Sequence, residues 1–384
     1  MFSNDYFGSS FTTEFQLNLP FSDWISGDKM EYVLYLTNDC NLNCIYCYEG
    51  KKRNQIMDFN IIQKLMEDES KKKEISRISF FGGEPLLQKQ LIYDTVNLGN
   101  QLSLKTRHRF VYSLSTNGTL IDDDFIRFCK KNKVAVGISI DGGEFVHNLN
   151  RKTFQSTGSF EKVLENAQKC LKANLKVMAL PVICMNNVIH LSDSVNFLIQ
   201  LGFQNITLNL NYAEKWTEES IEILKKQCSK VVDLYYHEYE KKKNIKIYPL
   251  DTKIYYGIHQ NQKCTGGCNG NRIAVDTDGS YYPCLQFIGN SKYIIGNYQE
   301  GIDDKKKKDL IVKRISSQTI CKDCAYQRRC LHDCGCARMM TSGDILEVTP
   351  LICETERMFI EEADKLGNRL YQDFPKQFMM QHYF

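Results

Sequence analysis

Several things that place a chain in a familiar class are missing from these 384 residues. No run of 18 or more apolar residues occurs, which excludes a membrane-spanning helix and makes a membrane partner an unneeded assumption. Charge of one sign is not in excess: 49 basic against 46 acidic residues leave a net +3, too little to argue for nucleic acid. The opening residues, Met1-Phe2-Ser3-Asn4-Asp5, lack the basic stretch and apolar core of a secretory signal, so a cytoplasmic setting is expected. No internal repeat is found. Residues 1–30 read as a lead-in with at most a short strand, too short for a separate peptide-recognition domain.

What the chain has instead is cysteine. There are 16, seven before residue 264 and nine between Cys264 and Cys353. In a reducing compartment such a number argues for metal ligation rather than disulfides. Apolar residues at 42% suffice for a large core, and 25% charged residues is ordinary.

The stretch Cys40-Asn41-Leu42-Asn43-Cys44-Ile45-Tyr46-Cys47 places three thiols in one short loop after an apolar run, Tyr32-Val33-Leu34-Tyr35-Leu36. Three soft ligands suit an iron–sulfur cluster. A zinc site would want a fourth Cys or His close by, and none is there. A 4Fe–4S cluster held by three thiolates keeps one iron open to a substrate or cofactor.

From residue 31 to about 211 short β-branched and aromatic runs alternate with helical patterns. Strands are expected at 32–36, 75–81, 109–114, 134–140, 175–183 and 206–210, with helices at 61–71, 86–102, 122–131, 159–173 and 188–201. Asp122, Ser159 and Asn187 stand where N-caps belong, and Gly202 where a C-cap belongs. The alternation predicts an α/β fold, a partial (β/α)6 barrel with a doubly wound sheet as the alternative. Both gather ligands at the carboxyl ends of the strands. A long helix over 217–243 covers the core. Beyond Cys264 glycines and cysteines crowd together, 272–275 and 281–284 read as a β-hairpin, Lys305–Lys308 as a solvated linker, and 354–371 as a helix.

Four further segments bear on chemistry. Gly82-Gly83-Glu84-Pro85 ends the second strand, where glycines admit close backbone approach and a carboxylate can receive an ammonium group; alone, it reads equally as a strand-to-helix turn. Ser115 and Asn117 end the third strand in a turn-forming Asn-Gly context. Ser139 and Asp141 end the fourth, able to meet a ligand or to cap a loop. Arg151 follows, suited to a bidentate carboxylate grip, though a surface arginine is the commoner finding.

The Cys-x3-Cys-x2-Cys loop followed by these segments on successive units resembles the radical S-adenosylmethionine (SAM) enzymes. The resemblance implies that the amino and carboxylate groups of SAM chelate the open iron. It also implies that reductive cleavage yields a 5′-deoxyadenosyl radical that takes hydrogen from substrate. It assigns Cys40, Cys44 and Cys47 to the cluster. Tyr46, Gly82, Gly83, Glu84, Ser115, Asn117, Ser139, Asp141 and Arg151 are assigned to SAM, with Tyr46 near adenine; packing of Tyr46 into the core is the competing reading.

The later cysteines, Cys264-x3-Cys268, Cys284, Cys321-x2-Cys324-x5-Cys330-x3-Cys334 and Cys353, are similar to the SPASM extension of that superfamily. Two more 4Fe–4S clusters are implied, one on Cys264, Cys268, Cys284 and Cys334, the other on Cys321, Cys324, Cys330 and Cys353. Structural zinc is the plainer alternative, and Cys336 is left over. Cys129, Cys170, Cys184 and Cys228 read as small buried hydrophobes, and Tyr235, Tyr236 and His237 as packing or surface residues.

The domains then run as a lead-in (1–30), a barrel with covering helix (31–243), a bridging region (244–263), a SPASM domain (264–353) and a C-terminal helix and tail (354–384). Two subgroups compete for the activity. Maturases of ribosomally made peptides form thioether or carbon–carbon crosslinks or invert stereocentres; crosslinking of a peptide, cysteine-containing in the thioether case, is the favoured expectation. Anaerobic sulfatase maturases, which oxidise Cys or Ser to formylglycine, share the 138–152 stretch and Asp278-Gly279-Ser280-Tyr281-Tyr282-Pro283-Cys284. In them an aspartate thought to be the base directly follows that cysteine, and here Leu285 and Gln286 stand instead. No catalytic residue is named. A reducing partner such as flavodoxin or ferredoxin is implied. A zinc scaffold without catalysis and an aminomutase- or dehydrogenase-type enzyme on a small molecule complete the alternatives.

Overall fold

The computed structural model describes residues 30–48, 54–72, 74–259, 271–316, 321–330 and 334–382, with backbone alone over 311–316. The strands are β1 (Glu31–Tyr35), β2 (Ile75–Phe81), β3 (Arg109–Thr116), β4 (Ala135–Ile138), β5 (Val177–Ala179), β6 (Val182–Ile183), β7 (Asn205–Thr207), β8 (Asn209–Leu210), β9 (Lys246–Tyr248), β10 (Arg272–Val275), β11 (Ser280–Tyr282), β12 (Gly296–Asn297) and β13 (Gly301–Ile302). The helices are α1 (Phe59–Ser70), α2 (Lys89–Lys105), α3 (Asp123–Asn132), α4 (Glu144–Asn150), α5 (Phe160–Lys172), α6 (Leu191–Leu201), α7 (Glu218–Glu240), α8 (Leu250–His259), α9 (Asp304–Ser316), α10 (Gly335–Ser342), α11 (Pro350–Asp373) and α12 (Pro375–His382).

Eleven strands form one sheet in the order β13-β12-β11-β10-β1-β2-β3-β4-β5-β7-β9. From β10 to β9 every pairing is parallel, and β10 to β13 are antiparallel. Parallel strands joined by helices bury both faces, which is why Tyr32, Leu34, Leu36, Ile78, Phe80, Tyr112, Leu114, Val136 and Ile138 all lie in one apolar core under the helices. Each such fully buried side chain contributes roughly 1.5–3 kcal/mol. No helix among the described residues is long and apolar enough to cross a membrane.

The α/β architecture expected from the alternation is present, with differences of detail. The fifth and sixth strands each divide, because Leu180-Pro181 and Leu208 interrupt the ladder and the outer pieces, β6 and β8, pair apart as a small parallel sheet. Proline has no N–H to donate to a ladder. A further strand, β9, lies in the stretch taken as a bridge and extends the sheet beside β7. On the other side the hairpin strand β10 joins β1 directly, so the cysteine-rich part continues the same sheet.

The helix caps divide. Asp122 accepts from Phe125 N at 2.8 Å, and Gly202 ends α6 with φ of 112°. Ser159 and Asn187 do not cap: Ser159 bonds His147 and Arg151, and Asn187 bonds Cys184 N and Val182 O. The lysine run at 305–308 is helical rather than a linker, lying in α9, with Lys305, Lys306 and Lys308 exposed. Tyr235 is buried and hydrogen-bonded, while His237 faces solvent, as expected. The four cysteines read as hydrophobes are at most 1% exposed.

Helices α8 and α11 are clamped by a buried ion pair. Lys253 Nζ, 0% exposed, lies 2.6 Å from Glu356 and donates to the Arg329 carbonyl at 2.7 Å, one residue before Cys330. Removing one partner strands the other charge in the core, which costs about 3–5 kcal/mol. Lys253→Met and Glu356→Gln are each expected to lower unfolding free energy by about that amount in urea titration, whereas the paired Lys253→Met/Glu356→Leu change recovers most of it.

Candidate active site

The chain leaves β1 and enters the cysteine loop at the carboxyl end of the sheet. The loop is held by backbone bonds from Asn43 N to Lys152 O (2.7 Å) and Ile45 N to Asn150 O (2.9 Å). Cys47 N closes a turn on Cys44 O at 3.2 Å. Cys40 Sγ accepts from Leu42 N at 3.4 Å and from Asn117 Nδ2 at 3.7 Å. Such donors favour a thiolate. Burial first, and the neighbouring Cys40 and Cys47 after it, push the Cys44 thiol up to about 11, while Arg151 pulls it down. Bound iron reverses that balance, since a coordinating thiol is deprotonated outright. All described cysteines are free thiols. Three thiols presented by one loop fit a cluster, which takes each thiolate on a different iron, and among the described residues no three His, Cys, Asp or Glu are grouped to hold a single ion.

Gly82 and Gly83 are placed beside this loop for a reason different from the one expected. A Cβ on Gly82 would lie 2.5 Å from the Thr37 carbonyl oxygen, and one on Gly83 2.2 Å from that of Asp39. The glycines admit the backbone before Cys40, and Gly83 N and Glu84 N donate to Thr37 O (2.9 Å) and Asp39 O (2.7 Å). Gly82 also has φ of 140°, where side chains are strained.

Glu84 is fully buried, and its carboxylate is already engaged within the protein. Oε1 accepts from Leu86 N (2.9 Å) and Thr116 Oγ1 (2.7 Å), and Oε2 from Asn117 N (2.7 Å). It thus locks the second strand end to the third. Burial raises its pKa to about 7 against those bonds. Asn117 in turn donates to Asn41 Oδ1 at 2.8 Å, and Asn41 donates to Thr119 Oγ1 at 2.8 Å. Asn41 and Thr119 escaped the sequence reading, because single polar residues in loops carry no periodic signal. Ser115 and Ser139 are half-buried; Ser115 pairs with Gly137 across β3 and β4, two residues before Ser139, so alternation puts all three on one face of the sheet.

Asp141 and Arg151 are paired with each other rather than standing as separate ligand groups. Both are buried, and Arg151 Nε lies 3.1 Å from Asp141 Oδ1. Asp141 Oδ1 also accepts from Val182 N at 3.0 Å, and Oδ2 accepts from Tyr46 Oη at 2.7 Å. The guanidinium lies 5.3 Å from the centre of the Tyr46 ring. Within the cysteine loop itself, Tyr46 is therefore tied by its phenol to the fourth strand end, and the sequence offered no signal of that bond.

Of the later cysteines, which the resemblance divides into two ligand sets, Cys264 and Cys268 lie outside the described residues. Cys284 sits with Cys334 and Cys336 in a second apolar cluster with Tyr282, Phe287 and Tyr293. A hydrogen bond from Cys336 holds the Cys284 thiol below its usual range against burial, so the leftover cysteine is a close neighbour of the set. Cys321 and Cys324 lie near Cys353 in the first turn of α11. Cys330 lies beside Arg329, whose guanidinium donates to the Lys253 carbonyl at 2.8 Å.

Residues 34–198 match the model of the radical SAM superfamily. The cysteine-type anaerobic sulfatase-maturating enzyme of Clostridium perfringens (strain 13 / Type A) is 27% identical over 360 residues, 85% of this chain and 94% of that enzyme. The structure of anSMEcpe with bound AdoMet and Cp18Cys peptide superposes with a TM-score of 0.78 at 25% identity, covering 89% of this chain and 99% of that one. Streptococcus suis SuiB bound to precursor peptide SuiA superposes at 0.59 with 14% identity over 90% of this chain and 84% of that one, a likeness of fold.

Glu84 carries a pH signature. Its folded pKa of about 7 lies above the ordinary 4.5, so the folded state binds more protons between those values. Stability from this group is fully present below the unfolded pKa and is lost as pH rises to about 7, by at most about 3 kcal/mol. Denaturant titration of the metal-free protein at about pH 5 and about pH 8 is expected to show a drop that Glu84→Gln reduces. Gln also turns an amide N–H toward Asn117 N, so Glu84→Gln loses stability at both pH values.

Proposed function

The chain is a radical SAM enzyme, with its radical SAM domain at residues 34–198, and from that premise we propose that it oxidises a residue within a peptide or protein substrate. The observation that carries the reading is the match over nearly the whole length of a sulfatase-maturating enzyme, with a common fold over 89% of this chain. Conversion of Cys or Ser to formylglycine, the lesser expectation from sequence, is thereby the better supported activity. Peptide crosslinking has no such specific support.

A 4Fe–4S cluster on Cys40, Cys44 and Cys47 with SAM on its open iron supplies reductive cleavage of SAM and a radical able to take hydrogen from the substrate. This chain's residues do the rest. Asn117 donates toward the Cys40 sulfur and braces Asn41, fixing the loop. Asp141 orients Arg151 through Nε, and Nη2 donates to Leu180 O at 3.5 Å, which leaves Nη1 to meet the SAM carboxylate. Tyr46, held by Asp141, presents its ring beside that cation. Ser115 and Ser139 offer hydroxyls on the same sheet face. Glu84 acts on SAM chiefly by placing the strand ends, since its oxygens are engaged. Two auxiliary clusters are proposed on the cysteine sets inferred above, with flavodoxin or ferredoxin as the electron donor.

One observation keeps crosslinking as a second reading. The residue after Cys284 is Leu285, which packs in the apolar cluster with Tyr282 and Phe287 and has no proton-accepting group. Auxiliary clusters on the later cysteines would supply Lewis-acid activation of a substrate thiol, so in a thioether-forming reaction the missing carboxylate would matter less.

Anaerobic reconstitution followed by SAM, dithionite and a cysteine-containing peptide tests both. About twelve irons per chain, 5′-deoxyadenosine and an aldehyde-bearing peptide are expected. A peptide that has lost only hydrogen and carries no free thiol or aldehyde would transfer the assignment to crosslinking. SAM cleavage with an unchanged peptide would reject a peptide substrate of this kind. Zinc with no SAM cleavage would reject the cluster assignments.

A further inference from the structure

The loop after β4 contains a fully buried side chain that none of the steps above employs. His147 in α4 is 0% exposed. Its Nδ1 accepts from Asp141 N at 3.4 Å, and its Nε2 lies 3.0 Å from Ser159 Oγ. Ser159 Oγ–H donates onward to the Arg151 carbonyl at 3.0 Å. The amide of Asp141 can only donate, and the serine proton is committed to a carbonyl. The ring is thereby fixed as the neutral Nε2–H tautomer. Burial, with Arg151 beside it, pushes the His147 pKa down to about 3, in keeping with a ring that stays neutral. The His147 carbonyl also accepts from Arg151 N at 3.0 Å.

We propose that His147 is a positioning residue for SAM: one neutral imidazole holds the backbones of Asp141 and Arg151 at once, and so sets the pose of the guanidinium. The proposal rests on the reading that Arg151 receives the SAM carboxylate. The Asp141–Arg151 ion pair and the Tyr46 phenol tie the two side chains to each other and to the cysteine loop, but they do not fix the two backbones that carry them. The histidine supplies that second constraint through Ser159, whose N–H neighbour Phe160 is itself tied to Asn148 Oδ1 at 3.1 Å. Loss of the ring leaves the Asp141 N–H and the Ser159 hydroxyl short of a partner within the core.

The test uses the reconstituted full chain. His147→Phe is expected to raise the SAM dissociation constant about tenfold, the factor that one lost buried hydrogen bond commonly costs. The KM for SAM rises by more than kcat falls. Ser159→Ala gives a smaller rise. His147→Gln, which can still donate to Ser159, recovers part of the loss. Iron content and melting temperature serve as controls for folding. Unchanged SAM affinity in His147→Phe would overturn the proposal. So would a loss matched by equal loss of iron in all three variants, which would make the residue merely structural. Arg151→Ala separates the two readings: if it leaves SAM affinity intact, the carboxylate assignment fails; if it weakens SAM while His147→Phe does not, only the role of His147 fails.

Discussion

The approach of two backbones, from Thr37 to Asp39 on one side and Gly82-Gly83 on the other, is the constraint on which the site depends. No side chain fits between them, and the two hydrogen bonds from Gly83 N and Glu84 N to Thr37 O and Asp39 O need that closeness. The segment that precedes Cys40 is therefore positioned by β2 rather than by its own sequence. Glu84 carries the constraint one strand further, to Thr116 and Asn117, and Asn117 returns it to Asn41 and the Cys40 sulfur. A closed circuit of backbone and side-chain bonds thus surrounds the first thiol. Burying a carboxylate to build it is costly, which the raised Glu84 pKa records.

A second circuit holds the other side of the loop. Asp141, Arg151 and Tyr46 form it, with Lys152 and Asn150 carbonyls binding Asn43 and Ile45. Asp141 places a buried cation, Arg151, close to Cys44, where it partly offsets the burial that pushes the thiol up to about 11. The two circuits meet through the cysteine loop and through the bond from Ser139 N to Thr116 O at 2.9 Å.

The continuous sheet joins the cysteine-rich part to this site. Strand β10 pairs with β1 in register from Glu31↔Arg272 to Leu34↔Val275, and Glu31 also binds Arg272 at 2.7 Å. Cys284 follows β11, one hairpin away from the strand that leads to Cys40. On the far side, the Lys253–Glu356 pair ties α8 to α11 beside Cys330 and Cys353.

Sequence by itself determined the parts whose signal is local. Alternating strands and helices specified the α/β layers, since side-chain period follows backbone period. Cysteine spacing singled out the Cys40–Cys47 loop, because its three thiols lie within eight residues. Asp122 and Gly202 were legible as caps, each acting within a few residues. Tertiary structure alone decided the rest. Glu84 and Asp141 are carboxylates that sequence offers to a ligand, yet the fold occupies them with Asn117, Thr116, Arg151 and Tyr46. Ser159 looks like a cap and instead links His147 to Arg151. Strands β9 and β10 were invisible as members of the same sheet, since pairing between distant segments depends on edges that only the folded chain brings together. A polar residue shows what it can bind, whereas its partner is chosen by which donors and acceptors burial leaves within reach.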